Sequence, residues 1–106
     1  MARPDFPFVL PLKGEIDLHV SPGIAVSIAG VTATRPTHIV VDLTEVPYLD
    51  SSGLAVLIQG MQNVQEYGGM FALVGVQEDV RPIFEMARLD QVFQIFPDVD
   101  SALAAN

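Results

Sequence analysis

The residues His38-Ile39-Val40-Val41-Asp42-Leu43, just after Pro36, form a nearly unbroken run of β-branched and aliphatic side chains. A strand that is apolar on both faces, with no clean alternation, belongs in a sheet covered on both sides, which is the habit of parallel sheets. Such a strand needs helices to cover it, and the flanking sequence supplies them. From Gly53 the apolar residues Leu54, Leu57, Ile58, Met61 and Val64 fall on one stripe of an amphipathic helix that ends at Gly68-Gly69. The constraint is therefore an α/β chain built around one buried parallel strand.

The remaining elements follow the same alternation. Phe8-Val9-Leu10-Pro11-Leu12 reads as a strand ending at Lys13-Gly14, with Pro11 confined to an edge or a bulge because it lacks an N–H. Ser21-Pro22 reads as a helix start, with the Ser21 hydroxyl as N-cap, ahead of Ile24, Ile28 and Val31 at helical spacing. Gly30 and the β-branched residues make that helix intrinsically weak, so packing must hold it. Met70 to Val76 is predicted to be the next buried strand. Val80, Ile83, Phe84 and Ala87 then repeat the helical stripe, with Asp79 as N-cap and Pro82 early enough to be tolerated. Val92 to Phe96 reads as a last strand, and Pro97-Asp98 opens a terminal helix through Leu103. The order βαβαβαβα predicts a mostly parallel sheet of four to five strands with three to four helices and right-handed crossovers. At 106 residues the chain is expected to be a single domain, 1–106, with one core.

Composition removes whole classes of function. Five Lys and Arg against thirteen Asp and Glu give a formal charge of −8, which repels phosphate backbones and anionic headgroups. Nucleic acid and membrane surfaces are therefore not expected partners. Cysteine is absent, so there is no disulfide, thiolate nucleophile or Cys-based metal site. No apolar run is long enough for a spanning helix, and the chain reads as soluble and cytoplasmic.

In a parallel α/β sheet the loops at the carboxyl ends of the strands form the functional rim. Two acidic turns fall there, Gly14-Glu15-Ile16-Asp17 and Tyr48-Leu49-Asp50-Ser51-Ser52-Gly53. The second places two hydroxyls at the start of the strongest helix. One serine suffices as an N-cap. A second hydroxyl, beside a glycine that lets another backbone approach, is a candidate phosphoryl acceptor, because a helix amino terminus tolerates an anion. A phosphate there would add roughly −1.5 to −2 charge beside Asp50 and, if the loops converge, Asp17, repelling a partner docked on that patch.

These residues, with Ile39-Val40-Val41-Asp42-Leu43, Gly68-Gly69, Leu73-Val74-Gly75-Val76, Val80-Arg81-Pro82-Ile83-Phe84 and Leu89-Asp90-Gln91-Val92-Phe93, resemble the STAS domain family. The resemblance is strongest to its small single-domain anti-sigma factor antagonists. It runs over nearly the whole chain from Leu12 and implies a STAS fold and a non-enzymatic binding module. Such a module captures an anti-sigma factor, which is commonly also a serine kinase, and so frees a sigma factor; a separate phosphatase resets the switch. The phosphorylated position of the family's Asp-Ser-Ser/Thr-Gly motif corresponds to Ser52. The partner face implied is Asp17, His19, Leu49, Asp50, Ser51, Ser52, Gly53, Leu54 and Ala55. One departure is the short, proline-containing stretch before Lys13, where the family carries an amino-terminal strand. Branches of the family also serve as scaffolds or transport subunits without a phosphorylation cycle.

Other constellations point elsewhere more weakly. From Ser51 to Gln77 only Glu66 is charged, so the helix face bearing Ala55, Gln59, Gln62 and Asn63 is neutral, a composition that suits a protein interface. Asp42 to Gly53 superficially resembles the phosphoacceptor segment of a response-regulator receiver. A receiver needs an acidic pair after its first strand and a lysine near the acceptor, and Lys13, the only lysine, is placed unlike that one. The two histidines do not complete a hydrolase triad: His38 opens a buried strand, and His19 sits in the rim loop. No catalytic set, metal site or cofactor is expected.

Overall fold

The structure, a computed structural model, describes residues 7–105. Its elements are β1 (Pro7–Lys13), α1 (Ser21–Thr32), β2 (His38–Glu45), α2 (Ser51–Glu66), β3 (Met70–Val74), α3 (Arg81–Met86), β4 (Gln94–Phe96) and α4 (Val99–Ala104), with one 3₁₀ turn at Leu89–Gln91 before β4. The predicted βαβαβαβα order is the observed one. Among the described residues the sheet has four strands in the order β1-β2-β3-β4, every pair parallel.

This sequential order decides where the helices go. Each crossover steps in the same direction across the sheet, and right-handed crossovers then place α1, α2 and α3 on one face. The core records that arrangement. Ile39, Val41 and Leu43 of β2 and Phe71 and Leu73 of β3 pack with Ile28 of α1, Leu57, Met61 and Val64 of α2 and Phe84 of α3. The alternate residues Val40, Ala72 and Val74 face the other way, where Ala102 of α4, with Val99 and Leu103, covers them. Thus the two-sided burial of β2 comes from three helices on one face and a single short one on the other. Phe93 closes the larger core, its ring edge-on to Phe84 at 5.9 Å.

β1 is an edge strand among the described residues, and its register with β2 shifts between Pro11 and Lys13, the bulge that a proline in a ladder requires. No further strand precedes β1 among the described residues.

Four local expectations need correction. Ser21 does not cap α1: the cap position is Val20, and Ser21 is a buried first-turn residue. α1 has no side-chain cap; the turn that leads into it is held by Asp17, its carbonyl accepting from the Val20 and Ser21 N–H groups and its carboxylate from those of His19 and Val20. Asp79 likewise is not the cap of α3, whose cap position is Val80 with no side-chain bond. β3 stops at Val74 rather than Val76, because Gly75 turns the chain with φ +69°. β4 begins at Gln94 rather than Val92, since Arg88 (φ 58°) and the 3₁₀ turn bring the chain round to bury Phe93 first. Asp98 does cap α4 as expected, accepting from Ser101 N–H at 2.8 Å.

Candidate functional site

The site is assembled by one backbone latch. Ile16 and Leu49 form an isolated parallel bridge: Ile16 N–H donates to the Tyr48 carbonyl (2.9 Å) and Asp50 N–H donates to the Ile16 carbonyl (3.1 Å). The two acidic turns singled out in the sequence are therefore joined. Both bridge residues are fully or almost fully buried, which anchors the turns on the core. Gly53 makes the closeness possible. A Cβ there would lie 2.9 Å from Ile16 Cγ2 and 3.3 Å from the Ile16 carbonyl, so the glycine is where the other backbone approaches.

Because Leu49 is held in the bridge, the chain stays extended through Asp50 (φ −99°, ψ −171°) and turns helical at Ser51. Asp50 is thus the N-cap of α2, and neither serine is. Its Oδ1 accepts from Ser52 N–H (2.9 Å), Gly53 N–H (3.2 Å) and the Ser52 hydroxyl (2.5 Å). The hydroxyl bond is the first cause that holds the Asp50 carboxyl below the ordinary aspartate range. Partial burial works against it, and the two N–H groups add to the lowering. The residue that the sequence reading treated as an acidic neighbour is therefore the group that orients Ser52.

The expected partner residues divide by accessibility. Ser51, Ala55 and His19 are exposed, and Asp17, Asp50, Ser52 and Leu54 are half-buried, all belonging to the joined turns or the first turns of α2. Leu49 and Gly53 lie beneath them, buried, and support the surface. The Asp17 carboxylate is turned onto its own loop's N–H groups, fixing the start of α1.

The receiver-like segment has a different job. Asp42 accepts from the Thr44 N–H and hydroxyl, and the Thr44 carbonyl accepts from Gln77 Nε2 at 2.8 Å. These bonds tie the ends of β2 and β3 together under the rim. Among the described residues no group of three His, Asp or Glu side chains is placed to hold a metal ion. Nor is any helix long and apolar enough to cross a membrane. His38 is half-buried, with Nδ1 3.1 Å from the Thr37 hydroxyl, a structural placement far from the serine pair in the fold. The sequence reading missed Ile16 as the latch and Asp50 as the cap; the signal for both was the string Tyr-Leu-Asp directly before the serines, an extended segment ending in a good capping residue.

Chemically, the arrangement offers one hydroxyl whose hydrogen is committed to a carboxylate, at a helix amino terminus on a rim loop. Known proteins resemble the chain as a whole. The STAS domain family matches residues 2–102. The anti-sigma-F factor antagonist RsfB of Mycobacterium tuberculosis is 32% identical over 95 residues, spanning 90% of this chain and 77% of that protein. The crystal structure of an anti-sigma factor antagonist from Mycobacterium paratuberculosis superposes with a TM-score of 0.85 at 30% identity, covering 97% of this chain and 87% of that one. The Bacillus cell fate determinant SpoIIAA in its phosphorylated form shares the fold, with a TM-score of 0.72 at 19% identity over 98% of this chain and 93% of its own.

Proposed function

The chain belongs to the STAS domain family, and from that premise we propose that it is an anti-sigma factor antagonist whose capture of an anti-sigma factor is switched off by phosphorylation of Ser52. Relatives at moderate identity carry the name anti-sigma factor antagonist, which denotes a regulatory binding protein and not an enzyme. The observation that carries the finer reading is the single carboxylate oxygen that holds both the start of α2 and the Ser52 hydroxyl.

In the unmodified state Asp50 fixes the hydroxyl and the helix start, so the rim from Ser51 to Ala55 is presented in one conformation. The partner is an anti-sigma factor that is also a serine kinase, transferring a phosphoryl group from its own ATP to the Ser52 oxygen. The bond between the γ-phosphorus and its bridging oxygen breaks to release ADP, the hydroxyl proton passes to solvent, and an ester oxygen that no longer donates faces Asp50. Two to three anionic oxygens then stand against a carboxylate already kept ionised, on a rim that also carries Asp17. The docking surface gains roughly −1.5 to −2 charge while its backbone need not unfold, since the first-turn N–H groups of α2 favour an anion. A phosphatase restores the free hydroxyl.

Incubation with candidate anti-sigma kinases and ATP, followed by mass-spectrometric mapping, is expected to find phosphate on Ser52. Ser52→Asp should weaken capture by about tenfold or more, whereas Ser52→Ala should hold it within a few-fold, because only the former adds charge. Phosphate at another position, or equal affinity for both variants, would refute the switch. Recovery of a membrane transporter in place of a kinase would identify a transport-subunit STAS module.

A further inference from the structure

We infer that Leu18 and Tyr48 are the apolar anchors by which this chain holds its anti-sigma factor, and that the partner meets them with an apolar pocket that carries a basic side chain on the Tyr48 side. The inference rests on the capture proposed above and adds to it the residues that supply the affinity.

Leu18 is 72% exposed and Tyr48 47%. Single exposed apolar residues are ordinary, but these two stand on the two turns that the Ile16–Leu49 bridge joins. Leu49 is buried in that bridge, so Tyr48 beside it faces the opposite way, out of the molecule. Leu18 follows Ile16 by two residues, on a turn pinned by Asp17. The Asp17 carboxylate accepts from the N–H groups of His19 (2.9 Å) and Val20 (3.3 Å), and its carbonyl from those of Val20 (3.2 Å) and Ser21 (2.9 Å). None of these bonds uses the side chain at position 18, so the turn would form equally with a polar residue there. A leucine held in the open on a rigid turn suits entry into a partner, since little conformational freedom remains to be lost on binding.

Charge selects the occupant and orients it. The stretches Gly14 to Val20 and Glu45 to Ala55 hold Glu15, Asp17, Glu45 and Asp50 and neither lysine nor arginine. Because the bridge is parallel, Glu15 lies toward Tyr48, whereas Asp17 lies toward Asp50 and so toward Ser52. Asp17 and Asp50 turn their carboxylates onto their own N–H groups, but Glu15 is exposed. A partner docked on this surface meets that exposed acid beside Tyr48 and gains by placing a base against it. At the other end, the kinase of the proposed reaction presents the phosphates of its nucleotide to Ser52. Negative charge added at Ser52 therefore opposes capture, while the charge of Glu15 favours it. A second copy of this chain, acidic on the same face, is disfavoured as the occupant.

The test measures capture of the kinase that phosphorylates Ser52, by surface plasmon resonance on the full chain. Leu18→Ser and Tyr48→Ser should each weaken it by about tenfold or more, chiefly through faster dissociation, with the native circular dichroism spectrum retained. Leu18→Met and Tyr48→Phe should keep capture within about threefold, as should Val26→Ser, which removes an equally exposed apolar side chain from α1. Glu15→Lys should instead slow association and flatten its dependence on salt. Serine variants at 18 and 48 that bind like the unsubstituted chain, in an assay where Ser52→Asp binds weakly, overturn the anchors and leave the switch standing. Weakened capture accompanied by partial unfolding assigns the two residues a structural role and equally overturns them. Association of Glu15→Lys at the unsubstituted rate removes the basic side of the pocket. Failure of the unsubstituted chain to capture any anti-sigma factor refutes the switch and the anchors together.

Discussion

A carboxylate oxygen that accepts three hydrogens makes Asp50 the most heavily used side chain in the site. Its neighbour Gly53 is as constrained by space as Asp50 is by hydrogen bonds. Gly53→Ala would push a methyl into Ile16 and Leu49 and loosen the latch; net of the helix propensity that alanine adds, a loss of about 1 to 2 kcal/mol is expected in urea denaturation. Unchanged stability would mean that the latch is not tight. The residues of the site were legible in the sequence, but their division of labour was not. At both Ser21 and the serine pair a hydroxyl at a helix start reads as the cap; at the serine pair the upstream Asp50 does the capping, while α1 has no side-chain cap and Asp17 holds only the turn before it. The reason is long-range. The Ile16–Leu49 bridge determines which residue is the last extended one, and no local pattern contains that bridge.

Among the elements, β2 and α2 were legible because a doubly buried strand and an amphipathic stripe announce themselves by period. The stretch from Arg88 to Phe93 was not, since its 3₁₀ turn exists to carry Phe93 onto Phe84 and Phe71, a tertiary demand that overrides strand propensity. The helices also differ in how they begin. α2 and α4 are capped by aspartates whose carboxyl groups are held below the ordinary range, Asp50 chiefly by the Ser52 hydroxyl and Asp98 chiefly by the Ser101 N–H. A depressed folded-state value means that the caps contribute fully above the unfolded aspartate value of about 3.9 and lose that contribution as pH falls through the folded one. The thermal midpoint followed by circular dichroism should therefore decline as pH is lowered from about 5 to about 3. Asp50→Asn, which keeps an acceptor but cannot titrate, should flatten part of that slope. An Asp50→Asn variant whose midpoint falls with pH as steeply as that of the unsubstituted chain would contradict the capping account.

For the molecule as a whole, thirteen acids against five bases make self-repulsion a standing cost of the compact state. Screening shortens from about 30 Å at 0.01 M salt to about 8 Å at 0.15 M, so dilute protein should melt a few degrees higher at the latter. An equal or lower midpoint would show that local pairing outweighs the net charge. Chain topology leaves a second mark at this scale. Right-handed crossovers between sequential strands commit α1, α2 and α3 to one face, and only α4 remains to cover Val40, Ala72 and Val74 on the other. The larger core is thus closed by three helices, whereas the opposite sheet face depends on the one short helix at residues 99–104. A variant that unseats α4 is therefore expected to lay bare an apolar sheet face and to aggregate while its larger core stays intact.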